Sequence, residues 1–192
     1  MIESVLQKRN VKAGTRLTVK AVLSVGIVVL AVLLPQFVHM AAGAQGGVQW
    51  LPMYLPVLLG GCLLGWRWGL GVGLAAPLAS FAITSAMGSA MPAATRLPYM
   101  MAELAVFAAV SGAFSNSIAK NAWMAFPAVI LASAAGRAFF LLIAAIFQGI
   151  SPLSVQTVWA QIQTGAIGLV LHGVIVPLVV MGISALLNRE KE

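Results

Sequence analysis

Two opposite charges inside apolar stretches are the residues of this chain most able to do chemistry. We expect Glu103 about five residues into one membrane helix and Arg137 about ten residues from the end of the next, hence roughly 7 Å and 15 Å deep. A charge at membrane depth is costly and usually faces a partner or a wet cavity. Two compatible hypotheses follow: a structural ion pair joining the helices, or the wall of a polar ligand cavity.

Amides, aromatic rings and one further cation cluster in loops expected on the same side of the membrane. Such side chains can stack on a planar ring and hydrogen-bond its edges, although an interfacial aromatic belt with ordinary loop amides would look the same. Arg96 lies on that side against the usual cytoplasmic bias of basic residues, and an anionic ligand group is one reason for it. The candidate substrate-binding residues are His39, Gln49, Trp50, Tyr54, Arg96, Glu103, Arg137, Gln148 and Gln163. The same loops also contain Gln45, Gln156, Trp159 and Gln161.

The sequence lacks the motifs of common catalytic sites. It has no GxSxG, HExxH or Walker-type phosphate loop. Its single cysteine, Cys62, permits no internal disulfide, and its two histidines are too far apart in sequence to suggest a metal site. His172 is interpreted as a hydrogen-bonding residue inside the bundle, with a proton relay or ligand contact as the alternative. We therefore expect no enzyme activity, no catalytic residues, no metal and no cofactor.

The elements that position these residues are apolar helices. The chain has 192 residues, 61% hydrophobic and 8% charged, against roughly 25% charged in soluble domains. No Lys, Arg, Asp or Glu occurs in 21–66 or in 138–188, and about 20 apolar residues suffice to cross a bilayer core of about 30 Å. The sequence predicts an all-α membrane bundle of six spans at 17–38, 53–65, 69–86, 98–115, 122–147 and 160–187. The predicted connections include a loop at 39–51, a turn at 66–68 and a loop at 148–158.

Basic residues indicate how the bundle is oriented. In the six-span layout, all of the 11 Lys and Arg residues except Arg96 and Arg137 fall at the N-terminus, at two turns or at the C-terminus. The positive-inside rule then places both termini in the cytoplasm. The expected organisation is a basic cytoplasmic segment 1–16, a membrane domain 17–187 and a cytoplasmic tail 188–192. The net charge of +7 follows from this pattern, so no nucleic-acid partner is expected.

Several short motifs between residues 50 and 104 resemble one transporter family. The segment 50–61 reads WLPMYLPVLLGG, a Gly-rich span with Pro77 and Ser80 follows, and Met91-Pro92 precedes the segment 100–104, MMAEL. Together they resemble the substrate-specific S components of energy-coupling factor (ECF) vitamin transporters of prokaryotes. The resemblance implies a six-helix subunit of the plasma membrane that binds a vitamin-like solute near the outer face. It also implies a transmembrane coupling subunit and two ATPase subunits as partners, with Ala21, Ser24 and Val25 as the nearest match to the docking motif.

The same residues allow a second function. A stand-alone, proton-coupled carrier of small solutes would use Glu103, Arg137 and His172 as a relay within the membrane. Such carriers commonly contain internal repeats, and none is visible in this sequence. The ligand stays open at this point: tetrapyrrole-like, pantothenate-like and pyrimidine-like solutes are all compatible with the pattern.

Overall fold

The computed structural model describes residues 1–149 and 154–189, and every regular element in these ranges is helical. The helices are α1 (Ile2–Lys8), α2 (Ala13–Trp50), α3 (Tyr54–Leu64), α4 (Trp66–Ala86), α5 (Leu97–Ala113), α6 (Ser115–Lys120), α7 (Ala125–Ile146), α8 (Val155–Thr164) and α9 (Ala166–Arg189), with a 3₁₀ turn at Ala122–Met124. The predicted all-α class is confirmed.

Five stretches are long and apolar enough to cross a membrane: Ala13–Gly43, Gln45–Leu64, Trp66–Ala86, Ala122–Ile146 and Ala166–Leu187. The fourth predicted span corresponds to α5, an apolar helix of 17 residues. At 1.5 Å per residue it is roughly 25 Å long, slightly less than a bilayer core. By length and composition the helices are compatible with a multi-pass membrane protein, and α5 falls just below the length of the five candidate spans.

Helix α5 occupies the centre of the bundle, between α4, α3 and α7. Its Leu104, Phe107 and Ala108 are fully buried. Close approach to α4 depends on small residues, because a Cβ added at Gly73 would lie 2.6 Å from the carbonyl oxygen of Leu104. Small residues at helix contacts are typical of packing in lipid, where backbone proximity replaces a hydrophobic driving force.

Large apolar side chains remain exposed along the outer faces of the long helices. Exposed examples on α2 are Val22, Val25 and Val29, and on α9 they are Val170 and Val174. A soluble monomer rarely exposes continuous apolar surface of this kind. These faces fit contact with lipid chains and agree with the hydropathy of the helices.

The predicted loop at 39–51 is mostly helical instead: α2 runs through Pro35 to a kink at Gly43, and helix resumes beyond the kink and ends at Trp50. The stretch is rich in Ala and Gln, which form helices readily. One local break occurs within it, at Gly43, which has φ 66° and ψ −169°, a conformation that favours glycine. The chain then turns at Leu51, whose φ is 48°, before α3 begins at Tyr54.

Two further predicted boundaries are wrong, and a glycine marks each actual break. The predicted turn at 66–68 is the first turn of α4, because Gly65 (φ 90°) carries the change of direction. The predicted last span, 160–187, is divided at Gly165 into α8 and α9. In the predicted loop at 148–158, residues 150–153 lie outside the described ranges and α8 has already begun at Val155. Residues 190–192 of the predicted tail also lie outside them.

Candidate functional site

Glu103 and Arg137 form a buried ion pair between α5 and α7. Nη1 of Arg137 donates to Oε1 of Glu103 at 2.7 Å. Arg137 is 7% exposed and Glu103 is 1% exposed. The predicted pairing is confirmed. Two opposite charges at this depth lower each other's cost of burial, which explains how the apolar bundle tolerates them.

Tyr54 completes the site from α3. Its hydroxyl donates to Oε2 of Glu103 at 2.6 Å, so each oxygen of that carboxylate accepts a hydrogen bond. The ring of Tyr54 lies under the Arg137 guanidinium, with 5.0 Å from Cζ to the ring centroid, and meets the Phe107 ring edge-on at 5.0 Å. One side chain from α3 and one from α7 therefore fix the position of Glu103.

Gly136 explains why α7 can bring Arg137 so close to α5. A Cβ at this position would overlap the ring of Phe107. The ring instead lies against the bare backbone of α7, with its centroid 5.9 Å from Cζ of the neighbouring Arg137. A larger residue at 136 would separate the helices and lengthen the ion pair.

Tyr54, Glu103 and Arg137 line a cavity of about 450 Å³ at one end of the bundle. The volume falls within the roughly 300–1,000 Å³ that is typical of small-molecule sites. The wall is mostly apolar or aromatic, and its larger side chains are Met53, Met91, Met100, Tyr99, Phe140 and Pro35. A few polar groups in an apolar cavity can orient a bound solute while the walls desolvate it.

The segment between α4 and α5 forms part of the cavity wall and is tied to α4. Ser80 Oγ donates to the carbonyl oxygen of Met91 at 2.8 Å, and the backbone N–H of Met91 donates to Thr84 Oγ1 at 2.8 Å. These bonds place Pro92, Ala93 and Arg96 at the cavity, where all three contribute to its lining. Ser80 and Thr84 thus position a connection that contains no helix of its own.

Five of the nine predicted binding residues meet at this cavity: His39, Tyr54, Arg96, Glu103 and Arg137. The other four, Gln49, Trp50, Gln148 and Gln163, are absent from its lining, and Gln161 lies there instead. Gln161 and Gln163 are two residues apart on α8, so they point in different directions. Gln148 and Gln163 are exposed, and Trp50 is half exposed.

Helical spacing could have identified wall residues that the sequence analysis missed. Tyr99 and Met100 precede Glu103 by four and three residues, and Phe140 follows Arg137 by three. Side chains at these spacings share one face of a helix. A charged residue assigned to a cavity therefore also predicts which apolar neighbours line it.

His172 lies inside the bundle on α9 and is 3% exposed. Its imidazole lies near the backbone of Trp50 at the end of α2, and its Nδ1 is buried without a hydrogen-bond partner in the part of the chain that the structure describes. One turn earlier, a Cβ added at Gly168 would be 2.7 Å from the Trp50 carbonyl oxygen. The predicted position of His172 inside the bundle is confirmed, whereas its hydrogen-bonding role stays a prediction. The close approach at Gly168 lets α9 cover the break between α2 and α3.

The residues predicted for partner docking lie on α2, near the opposite end from the cavity. Val25 is 65% exposed, whereas Ala21 and Ser24 are partly buried. Ser24 and Val25 border an apolar groove of about 330 Å³ between α2 and α4, which also contains Trp68 and Gly71. This groove offers a surface of small and β-branched residues.

Comparison of the chain with protein-family models, with curated proteins and with solved structures finds no match. The geometry of the cavity and its polar side chains therefore carries the functional argument.

Proposed function

We propose that this protein is the substrate-binding subunit of an ECF-type importer. It captures a small vitamin-like solute from outside the cell and delivers it together with a transmembrane coupling subunit and two ATPase subunits. The observation that carries this proposal is the cavity of about 450 Å³ in which Glu103, Tyr54 and Arg137 converge. The resemblance of residues 50–104 to S components gives the specific family.

The charge distribution supports an outward-facing cavity. The basic residues before α2 lie at one end of that helix, and the cavity residues Pro35 and His39 lie toward its other end. The positive-inside rule assigns the basic end to the cytoplasm. With α5 counted as the sixth span, both termini are cytoplasmic, and the proposed location is the plasma membrane of a prokaryote.

A subunit that only binds its solute needs a partner to drive uptake. The surface of this chain that we propose for docking of the coupling subunit is the apolar groove at Ser24 and Val25, with Ala21 one turn away. Side chains there are small enough for another helix to approach closely. We do not expect this chain to hydrolyse a nucleotide.

Co-purification tests the proposal. The chain is co-expressed with an ECF coupling subunit and its two ATPases, and a tag on the chain is used for purification. We expect a four-component complex that imports its solute only with ATP. Val25→Trp should prevent assembly, whereas Val170→Trp should not, because Val170 is equally exposed but lies on α9. Assembly that is indifferent to both changes, or uptake without any ATPase, would contradict the proposal.

A proton-coupled carrier is the second candidate, and the buried carboxylate in the cavity wall favours it. A buried acidic residue beside a solute cavity is a common element of proton-driven transport. Uptake into vesicles that contain this chain alone separates the two functions. Accumulation that is driven by a proton gradient, and that is lost on Glu103→Gln while the variant remains folded, would support the carrier.

A further inference from the structure

We infer that the solute bound in this cavity is a small organic monocarboxylate whose carboxylate is held by Arg137. The inference rests on the proposed binding function and specifies its substrate class. It follows from which hydrogen-bonding groups of the site are already used and which remain.

The acceptors of Glu103 are occupied. Oε1 accepts from Arg137 and Oε2 accepts from Tyr54. The carboxylate thus has its two principal interactions within the protein, and it orients the arginine instead of attracting a cationic solute. A basic ligand would have to displace one of these donors.

The donors of Arg137 are only partly used. Nη1 bonds to Glu103, whereas Nε and Nη2 are buried and have no hydrogen-bond partner in the part of the chain that the structure describes. These two nitrogens form one edge of the planar guanidinium, whose parallel N–H groups match the two oxygens of a carboxylate. An unpaired buried donor is costly, so a ligand that supplies both acceptors gains affinity from it.

Neither nitrogen contacts solvent, so the guanidinium must reorient as the carboxylate enters. The side chain already contributes to the cavity wall, and its remaining contacts are with the faces of the Tyr54 and Phe107 rings. The attraction between a ring face and a cation does not depend strongly on how the cation is rotated, so the plane of the Arg137 guanidinium can turn while it stays over the rings. A lysine at this position would keep the charge but lose the paired donors.

The net charge of the lining favours one negative charge on the ligand. Arg96 and Arg137 provide two positive charges and Glu103 one negative charge, which leaves a single positive charge among the described lining residues. Arg96 is exposed at the cavity and forms no ion pair with any residue in the described ranges. A monocarboxylate balances this charge, whereas a phosphate monoester brings nearly two negative charges at neutral pH.

The rest of the wall suits an apolar or aromatic body. Met100, Tyr99 and Phe140 surround the polar end of the cavity, and thioethers and rings bind apolar or planar groups well. A volume of about 450 Å³ lies toward the lower end of the range for small-molecule sites. The cavity therefore favours a pantothenate-sized solute over a tetrapyrrole.

Matched acids and neutral analogues test the inference. The probes are nicotinate and nicotinamide, pantothenate and pantothenol, biotin and biotinamide, and lipoate and lipoamide, with binding to the purified full chain in detergent measured at equilibrium. We expect at least one acid to bind and its neutral analogue to bind about 10- to 100-fold more weakly, as expected for losing hydrogen bonds to a charged group. Phenyl phosphate serves as the phosphate probe and should bind more weakly than that acid.

Variants locate the recognition. Arg137→Lys should remove most of the preference for the acid over its analogue, and Arg96→Gln should weaken acid binding alone. Arg67→Gln is the matched control, because Arg67 is exposed and stacks on Trp66 away from the cavity. If Arg137→Lys fails to fold, Arg96→Gln, at an exposed position, still tests the charge requirement.

Three outcomes would overturn the inference: no acid binds, a neutral analogue binds as tightly as its acid, or Arg67→Gln and Arg96→Gln have equal effects. The proposed function fails separately. A complex that assembles with the ATPases but shows no preference for acids removes only the substrate class. Selective acid binding by a chain that never assembles with a coupling subunit removes only the ECF assignment.

Discussion

Nη1 of Arg137 lies 2.7 Å from Oε1 of Glu103, which joins α7 to the central helix α5 inside the bundle. Both partners are almost completely buried, and each would be an uncompensated charge without the other. The pair therefore has a structural role whatever the cavity binds. Measurements at this site must separate loss of folding from loss of binding.

Removing either charge should destabilise the protein. Glu103→Gln and Arg137→Gln should each lower the free energy of unfolding by about 3–5 kcal/mol, because each leaves a buried partner uncompensated. The double variant should lose clearly less than the two single losses combined. Unfolding in mixed detergent micelles measures the free energy of unfolding of the parent protein, the two single variants and the double variant. Additivity within about 0.5 kcal/mol would show that the residues do not interact energetically.

The hydroxyl of Tyr54 can be tested without disturbing its ring. Tyr54→Phe removes the donor to Oε2 of Glu103 but keeps the ring beneath Arg137. We expect a loss of about 1–3 kcal/mol, the cost of leaving a buried charged acceptor short of one hydrogen bond. Tyr99→Phe is the control, because Tyr99 lines the cavity but does not contact Glu103 in the described hydrogen-bond network. Equal losses of stability in both variants would mean that any hydroxyl in the cavity wall contributes as much as the hydrogen bond to Glu103.

Two glycines of α4 test the contact between α4 and α5. Gly73→Ala places a Cβ 2.6 Å from the Leu104 carbonyl oxygen, a backbone atom that cannot move aside easily. Its cost should be about 1–3 kcal/mol, as is typical of overpacking. Gly71→Ala, two residues away, meets nothing within 4 Å, and should be neutral or stabilise by up to about 1 kcal/mol. Thermal unfolding that ranks the two variants in reverse order would contradict this packing.

The contact between α1 and α2 should loosen at low pH. Glu3 on α1 forms ion pairs with Lys20 and Arg16 of α2, and the hydrogen bond from Lys20 is the main reason that the pKa of Glu3 lies below its ordinary value of 4.5. A lowered carboxylate pKa stabilises the folded form above pH 4.5, and this contribution is lost as pH falls through the lowered value.

Hydrogen exchange of the α1 amides, corrected for intrinsic rates, measures this loosening between pH 6 and pH 3. Exchange should accelerate as the pH falls. In Glu3→Gln it should be fast at pH 6 and change little with further acidification. A steep pH dependence that persists in Glu3→Gln would assign the titration to another group.

The sequence predicted the helical class and the ion pair for the same physical reason. A charge in a long apolar stretch is expensive, so Glu103 and Arg137 are conspicuous, and complementary charges on consecutive spans are expected to meet. The convergence of Arg96 and Tyr54 on the same cavity followed from placing their segments at one end of the bundle. These inferences needed only hydropathy, charge and helix rise.

Local composition gave wrong predictions elsewhere in the chain. The stretch around Gly43 resembles a loop because it contains Gly and Gln, but its alanines continue α2, and Pro35 lies within that helix. The anchoring of Met91 by Ser80 and Thr84 depends on a chain reversal that no local pattern specifies. Gln161 and not Gln163 lines the cavity because of how α8 is rotated about its axis. Two residues of separation place side chains on nearly opposite faces of a helix.

Filling the cavity from the segment between α4 and α5 should weaken binding without affecting folding. Ala93 and Ala94 are adjacent and both exposed, but only Ala93 contributes to the lining of the cavity. Ala93→Trp should therefore reduce the affinity for the best-bound acid at least tenfold, since the indole occupies space that the ligand needs. Ala94→Trp should keep the affinity, and both variants should unfold at the same temperature as the parent, because neither change enters the core. Unfolding temperatures control for misfolding, and titration with the acid measures the affinity. Equal affinities in the two variants would mean that the ligand enters by a route away from the segment between α4 and α5.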